Sequence, residues 1–175
     1  MMKGMVFRSP WGWMGIAESR KGLRAVILPR PTRKEVLADL RGCSGPLFVE
    51  SSTMQLRAAR AQILRYLQGG GFSFSLPLDL ANGTPFQQRV WRALRRVPYG
   101  SLRSYQWLAL RVGGRPYARA VGNAVGANPL PIVVPCHRII AANDTLGGFS
   151  SGLSMKRRLL SLEGTLARIH GSHQS

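Results

Sequence analysis

The apolar residues of this chain change their spacing near residue 82, and that change limits the folds open to it. Before it, short apolar runs are separated by the turn signals SPWG and SRKG, and the runs cover 5–7, 13–17 and 23–28. Runs and turns of this kind are typical of a small antiparallel sheet. After residue 82, apolar residues recur every three or four positions, which is typical of helices. The sequence therefore predicts an α+β protein.

Helices are also expected within the first half of the chain. The segment TRKEVLADL after Pro31 has helical spacing and is predicted to end at Gly42. The residues 54–67 have one apolar face, and the glycines at 69–71 stop that helix. In 72–80, apolar residues alternate with serines, which favours an extended segment.

The second half is predicted to be mostly helical. Thr84 is a suitable N-cap for a helix that ends before Pro98, and further helices are expected over 104–112, 116–128 and 155–162. The helices predicted over 104–112 and 116–128, joined by a glycine-containing turn, match the outline of a helix-turn-helix. Most helical hairpins bind no DNA, however. Small residues such as Gly122 and Gly126 permit a close approach to DNA, but they could equally serve to pack the helix against its neighbour. We predict a first domain over 1–83, a second over 84–164 and a flexible tail over 165–175.

Charge points to a polyanionic partner. The chain has 25 Lys and Arg against seven Asp and Glu, for a formal charge of +18. Such a field attracts nucleic acid, although a scattered excess of arginine from biased coding DNA would give the same count. Two distant cysteines and three histidines match neither a disulfide framework nor a zinc site, so we expect no metal. The chain lacks a long apolar run and a secretory signal, which favours a cytoplasmic protein without a membrane anchor.

Cys136 is the candidate centre of the chemistry, and it lies in the apolar segment PLPIVVPCHRII. The residues 132–134 are predicted to form a buried strand, which places Cys136 at the edge of the core. A buried thiol is normally inert because burial raises its pKa. His137 and Arg138 favour the opposite interpretation, since a base and a fixed positive charge both stabilise the nucleophilic thiolate.

His137 needs a route to the thiol and a carboxylate to orient it. Neighbouring residues on a strand point to opposite faces, so His137 acts on Cys136 either after a turn of the chain or through a bridging water, and we favour the water. From Thr84 onward the only acidic residues are Asp144 and Glu163. Glu163 follows a helix that could fold back on the site, whereas Asp144 lies in the segment AANDTLGG, which is typical of a turn.

Five ordered motifs resemble those of the methylated-DNA:protein-cysteine methyltransferases, or O6-alkylguanine-DNA alkyltransferases. They are SYQ at 104–106, ARAVG at 118–122, NPLPIVVPCHRII at 128–140, GGFSSGL at 147–153 and LLSLEG at 159–164. The similarity runs without gaps from about residue 76 to residue 164. The first domain is only loosely similar, and the resemblance implies that it has a ribonuclease H-like fold without that activity.

The resemblance implies a role for each matching residue of the reaction centre. Cys136 is then the alkyl acceptor, His137 acts on it through a water, and Glu163 orients the imidazole. Asn128 braces the turn that carries the cysteine. Tyr105 helps to rotate the damaged nucleotide out of the duplex, and this extrusion costs a few kcal/mol.

Further residues are implied to contact the DNA and the base. Arg119 fills the gap left in the base stack, and the helix bearing Gly122 enters the minor groove. The guanine edge meets backbone groups around Cys136 and Ile139, together with Ser150. Phe149 stands where many relatives have Tyr, and Ser151 where Gly is common, so the size of alkyl group accepted is open.

The implied reaction is a single, irreversible transfer from O6-alkylguanine, and less well from O4-alkylthymine, in double-stranded DNA. No cofactor is needed, and we expect a monomer. A protein that binds the lesion without transfer is a competing interpretation, but alkyltransferase-like proteins of that kind carry another residue in place of the acceptor cysteine. A cysteine hydrolase is a third, although such enzymes take their histidine from elsewhere in the chain. Cys43 is interpreted as a bystander.

Overall fold

The protein divides into two compact units. The computed structural model describes residues 1–45, 47–69 and 73–169. The first unit comprises Met1–Asn82 with Pro129–Pro131, and the second comprises Gly83–Asn128 with Ile132–Ser175. The division falls one residue before the predicted domain boundary. That Pro129–Pro131, from the second half, belong to the first unit was not predicted.

A four-stranded sheet forms the centre of the first unit. Three antiparallel strands, β1 (Met2–Ser9), β2 (Gly12–Ser19) and β3 (Gly22–Arg30), confirm the predicted sheet. A short fourth strand, β4 (Phe48–Glu50), pairs in parallel with β1 and gives the order β3-β2-β1-β4. The sequence did not predict β4 because three residues are too few to show an alternating pattern.

Two helices accompany this sheet. Helix α1 (Arg33–Ser44) begins at a capping box formed by Thr32 and Glu35, and it continues through Gly42, where it was predicted to end. Helix α2 (Met54–Leu67) has the predicted bounds, although Gly70, Gly71 and Phe72 lie outside the described residues. The residues 73–80, predicted to be extended, form no regular strand, but Leu78 makes an isolated parallel bridge with Leu23.

The second unit contains the predicted helices and two short strands. The helices are α3 (Pro85–Leu94), α4 (Tyr105–Val112), α5 (Ala118–Gly126) and α6 (Leu153–Leu162). A turn of 3₁₀ helix over 115–117 precedes α5. The indole of Trp91, 2% exposed, donates to the carbonyl of Ala124 at 2.8 Å and links α3 to α5. Two-residue strands β5 (Arg103–Ser104) and β6 (Ile139–Ile140) pair in parallel.

The segment before Cys136 is buried but is not the predicted strand. The residues 132–134 form turns, and Ile132 has a φ of +74°. Prolines at 131 and 135 remove two backbone donors, and a positive φ is incompatible with a strand. The prediction of burial was right, because Ile132, Val133 and Val134 are at most 3% exposed.

The predicted tail also needs correction at its start. A 3₁₀ turn covers Leu166–Arg168, and Ile169, 2% exposed, packs with Ile140, Leu146 and Leu160. Residues 165–169 therefore belong to the folded unit, while 170–175 lie outside the described residues. Within the described ranges, no helix has the length and apolar character needed to cross a bilayer.

Candidate active site

The pairing of β5 with β6 brings together the two segments that carry the predicted site residues Tyr105 and Cys136. Strand β5 leads directly into α4, whose first residue is Tyr105 and whose N-cap is Ser104. Strand β6 directly follows the turn that contains Cys136, and Ser104 pairs with Ile140. A small sheet therefore fixes the start of α4 beside the turn that contains Cys136.

Cys136 lies at the first position of a 3₁₀ turn over Cys136–Arg138. Its backbone N–H donates to the carbonyl of Val134 at 2.8 Å, and the side-chain amide of Asn128 donates to the same carbonyl at 2.8 Å. Asn128 also hydrogen-bonds the Cys136 thiol. The chain thus turns at the cysteine, and Asn128 contacts both the turn and the sulfur.

His137 and Glu163 form a fully buried pair. The Nε2 atom of His137 lies 2.7 Å from Oε1 of Glu163, and both side chains are 0% exposed. Glu163 is the C-cap residue of α6, so this helix does return to the turn that contains Cys136. Asp144 lies instead in an exposed turn with a φ of +58°.

Arg138 orients the carboxylate rather than the thiol. Its Nε and Nη2 atoms each donate to Glu163 at 2.9 Å, a bidentate arrangement, and Nη1 donates to the carbonyl of Val97 at 2.6 Å. The backbone N–H of Gly100 also donates to Glu163, at 3.3 Å. The expectation that Arg138 favours the thiolate directly is therefore not what the geometry shows: its charge is committed to Glu163.

The resting thiol and imidazole are both neutral at pH 7. Burial raises the pKa of Cys136, although the Asn128 hydrogen bond and the Lys156 ammonium act in the opposite direction. Burial lowers the pKa of His137 despite its bond to Glu163. For Glu163, burial opposes ionisation, but hydrogen bonds from His137 and Arg138 outweigh it and lower its pKa to about 2. The site thus combines a protonated thiol, a neutral base and an ionised carboxylate.

A cleft of about 190 Å³ lies beside α5. This is below the roughly 300–1,000 Å³ of pockets for drug-sized ligands, so the cleft is small. Four predicted site residues line it, together with Val125, Gly126 and Gly148: they are Tyr105, Gly122, Phe149 and Ser150. Cys136, 4% exposed, is not in the lining, but its proximity contributes with burial to raising the pKa of Tyr105. Tyr105, which lines the cleft, is therefore close enough to Cys136 for the charge of a thiolate to affect it.

The remaining predicted residues occupy different surroundings. Arg119 is exposed in the first turn of α5. Ile139 is fully buried, and its carbonyl accepts a hydrogen bond from Lys156 at 2.6 Å. A Cβ atom at Gly122 would meet no other atom within 4 Å, so this face of α5 is open. Among the described residues, no group of three His, Cys, Asp or Glu could hold a metal ion.

Lys156 is the site residue that the sequence interpretation missed. It is 0% exposed, and burial lowers its pKa to about 8, against the influence of Cys136. A signal was present, because Lys156 shares the i, i+3, i+4, i+7 face of α6 with Leu159, Leu160 and Glu163. A lysine on the apolar face of a helix is rarely buried without a specific role.

A family model and a full-length relative match this chain. The model of the 6-O-methylguanine DNA methyltransferase DNA-binding domain matches residues 85–165. The methylated-DNA–protein-cysteine methyltransferase of Methanosarcina acetivorans is 39% identical over 160 residues, covering 91% of this chain and 97% of the relative. That of Mycobacterium tuberculosis is 50% identical over 102 residues, an alignment that spans 58% of this chain and 61% of the relative.

Solved structures agree with these matches. The Mycobacterium tuberculosis OGT in complex with DNA superposes with a TM-score of 0.76 at 36% identity, covering 93% of each chain. The O6-methylguanine-DNA methyltransferase of Pyrococcus kodakaraensis KOD1 gives a TM-score of 0.65 at 32% identity, covering 94% of this chain and 99% of the other. The similarity thus extends over both units of a mixed α/β fold. This chain belongs to the methylated-DNA–protein-cysteine methyltransferase family.

Proposed function

We propose that the protein repairs alkylated DNA by transferring an alkyl group from O6 of guanine, and less well from O4 of thymine, to its own Cys136. The observation that carries this proposal is the buried His137–Glu163 pair at 2.7 Å, directly adjoining a buried thiol. A thiol, a base and an orienting carboxylate are the parts required to activate a sulfur nucleophile. Family membership supplies the substrate class.

The reaction forms one bond and breaks one bond. The thiol gives its proton to His137, the sulfur attacks the alkyl carbon, and the carbon–oxygen bond to the guanine breaks. The base leaves as neutral guanine once it has taken up a proton, so the net transfer moves the thiol proton to the guanine. Because Nε2 of His137 is hydrogen-bonded to Glu163, the other ring nitrogen, Nδ1, exchanges the proton with the thiol through a water. Glu163 stabilises the imidazolium that forms. In the thioether product the only leaving group is a thiolate, which is a poor one, so the cysteine is not regenerated and each molecule reacts once.

Helices α4 and α5 are proposed to act as a helix-turn-helix that places α5 in the minor groove. The open surface at Gly122 and Gly126 supports this, since the absence of side chains there permits a close approach to DNA. Tyr105, at the cleft, is proposed to assist extrusion of the nucleotide, and the exposed Arg119 to occupy the gap in the stack.

The two units are proposed to have different folds and functions, as the sequence motifs suggest. The first, over residues 1–83, is proposed to have a ribonuclease H-like fold, and its strand order β3-β2-β1-β4 with β4 parallel to β1 supports this. The second, over 84–164, is proposed to hold both DNA binding and alkyl transfer.

An intact-mass measurement tests the transfer directly. The protein is incubated with a duplex that contains O6-methylguanine, and we expect a gain of one methyl group on Cys136 and at most one per molecule. Cys136→Ala should gain none, while Cys43→Ala, the matched control, should gain one as the unmodified protein does. Unmodified protein that retains bound DNA would instead favour a lesion-binding protein, and repeated turnover a hydrolase.

Arg119→Ala tests the proposed duplex interaction. Filling the gap in the stack matters only when the base must leave a duplex. A stacking interaction contributes about 1–3 kcal/mol, so losing it should slow repair of the duplex by about 10-fold or more. Reaction with free O6-alkylguanine should change little. Equal losses in both assays would refute the stack-filling role.

A further inference from the structure

A buried lysine lies next to the reaction centre without belonging to the thiol–imidazole–carboxylate relay. Lys156 is 0% exposed in α6. Burial of a charged amine is costly unless the charge is compensated. Within the described ranges of the chain, no carboxylate lies within ion-pair distance of its Nζ. The compensation must therefore come from elsewhere.

Three backbone carbonyls surround the Lys156 amine. Its Nζ donates to Ile139 at 2.6 Å, to Gly148 at 3.2 Å and to Leu146. An ammonium has three N–H donors and a neutral amine only two, so this arrangement requires the protonated form. The three carbonyls thus use every donor that the charged group offers.

The carbonyls come from two segments that border the reaction centre. Ile139 immediately follows the Cys136–Arg138 turn, and Leu146 and Gly148 lie in the loop that leads to Phe149 and Ser150 in the cleft. The hydroxyl of Tyr105 donates to the same Gly148 carbonyl at 3.4 Å. One ammonium therefore links the Cys136–Arg138 turn, the acceptor turn, to the wall of the cleft, and it shares the Gly148 carbonyl with Tyr105.

The charge of Lys156 also acts on the acceptor. The titratable groups that face it are Cys136 and His137 from the acceptor turn, with Tyr105 approaching from α4. Of these, only the thiol gains a negative charge during the proposed reaction. A fixed positive charge in a water-poor site stabilises such a charge far more than it would in water.

We propose that Lys156 is a positioning residue for alkyl transfer: its ammonium holds the cleft wall against the acceptor turn and stabilises the Cys136 thiolate. The proposal rests on the transfer reaction proposed above. It assigns to α6 a second function beside presenting Glu163, because Lys156 and Glu163 lie on one face of the helix.

Single-turnover rates of methyl transfer test this role. Lys156→Met keeps the length of the side chain and removes its charge and donors, so the rate should fall about 10²-fold or more, as when a preorganised donor is removed from an active site. Lys156→Arg retains the charge and should recover part of that loss. Lys34→Met, an exposed lysine in α1, is the matched control and should transfer at the original rate.

The pH profile separates this role from a purely structural one. Burial lowers the pKa of Lys156 to about 8, so the rate of the unmodified protein should fall as pH rises through about 8. Ionisation of the thiol works in the opposite direction and cannot cause that fall. Lys156→Met should lack the fall, and Lys156→Arg should shift it far upward, because arginine stays charged to above pH 12.

Each outcome decides a distinct question. If the unmodified protein gains no methyl group, the proposed function itself fails. If it does, and folded Lys156→Met transfers within threefold of it with the same alkaline fall, only the role of Lys156 is refuted. If Lys156→Met does not fold, the unmodified protein decides: a profile without any fall between pH 7 and 9.5 overturns the proposal, and a fall near pH 8 that Lys156→Arg moves upward supports it.

Discussion

The charged residues behind Cys136 differ sharply in environment from those on the surface of the first unit. Arg30 and Asp39 pair at 2.9 Å with side chains 52% and 38% exposed, and Arg33 pairs with Glu50 in similar exposure. In the second unit, Glu163 pairs with His137 and Arg138 at no more than 6% exposure. The first group is solvated, and the second is removed from water.

This difference indicates which charges serve the chemistry. Exposed pairs typically contribute about 0–1 kcal/mol, because water screens them and their side chains lose freedom. A buried pair can cost more in desolvation than its attraction returns, so it gives little evidence of a stabilising purpose. Perturbed groups of this kind cluster at functional sites. The chain has only seven acidic residues, and placing one of them here therefore points to function.

The largest effect should follow from Glu163→Gln. The substitution keeps the shape of the side chain but leaves the Arg138 guanidinium buried without its counter-charge. It also replaces one of the two carboxylate oxygens with an NH2 group, so His137 and Arg138 lose a charged acceptor. Transfer should slow by about 10²- to 10⁴-fold, the usual contribution of acid–base catalysis. The free energy of unfolding should drop by about 3–5 kcal/mol, as when one partner of a buried pair is removed. Single-turnover transfer and urea denaturation measure the two quantities.

Acid should lower the free energy of unfolding in two stages, one from His137 and one from Glu163. The folded-state pKa of His137 lies below its ordinary 6.5, so the unfolded chain binds a proton first and stability falls as pH drops through 6.5. Glu163 has a pKa of about 2 instead of 4.5, so its contribution is complete above 4.5 and is lost as pH falls toward 2. At about 1.4 kcal/mol per pH unit, that second stage amounts to about 3 kcal/mol.

Urea denaturation at a series of pH values measures both stages. Glu163→Gln should lose the lower stage, because the residue no longer titrates. If that variant and the unmodified protein showed the same acid dependence below pH 4.5, the low pKa of Glu163 would not be the source of the stability, and the contrast between buried and exposed charges would lose its main support.

The scarcity of acidic residues and the helical periodicity before Glu163 were enough to predict that Glu163 lies beside His137. Only two acidic residues follow Thr84, and a helix before Glu163 could return it to His137, which is where the structure has it. The role of Arg138 was misjudged because adjacency in sequence says little about direction once the chain enters a 3₁₀ turn. The spacing of Lys156 on the face of α6 indicated that it is buried, but its contacts were not predictable because backbone carbonyls of two other segments hold it, and backbone acceptors carry no sequence signal.

The same limit explains what the sequence showed of the fold. Helix α3 began where Thr84 indicated, because capping is a local interaction. The apolar residues 132–134 were assigned to a strand because burial and strand formation give similar short runs. The prolines on either side, and the positive φ of Ile132, are what exclude a strand there.

The smallest effect should come from Glu50→Gln, the same chemical change made in an exposed pair. Glu50 is 43% exposed and Arg33 48%, so water solvates the guanidinium when the carboxylate is removed. The free energy of unfolding should change by at most about 1 kcal/mol, and the rate of methyl transfer should not change. Both are measured beside Glu163→Gln under identical conditions. If Glu50→Gln destabilised the protein as much as Glu163→Gln, the loss in the buried site could no longer be attributed to an uncompensated charge, and exposure would not be the property that separates the two groups.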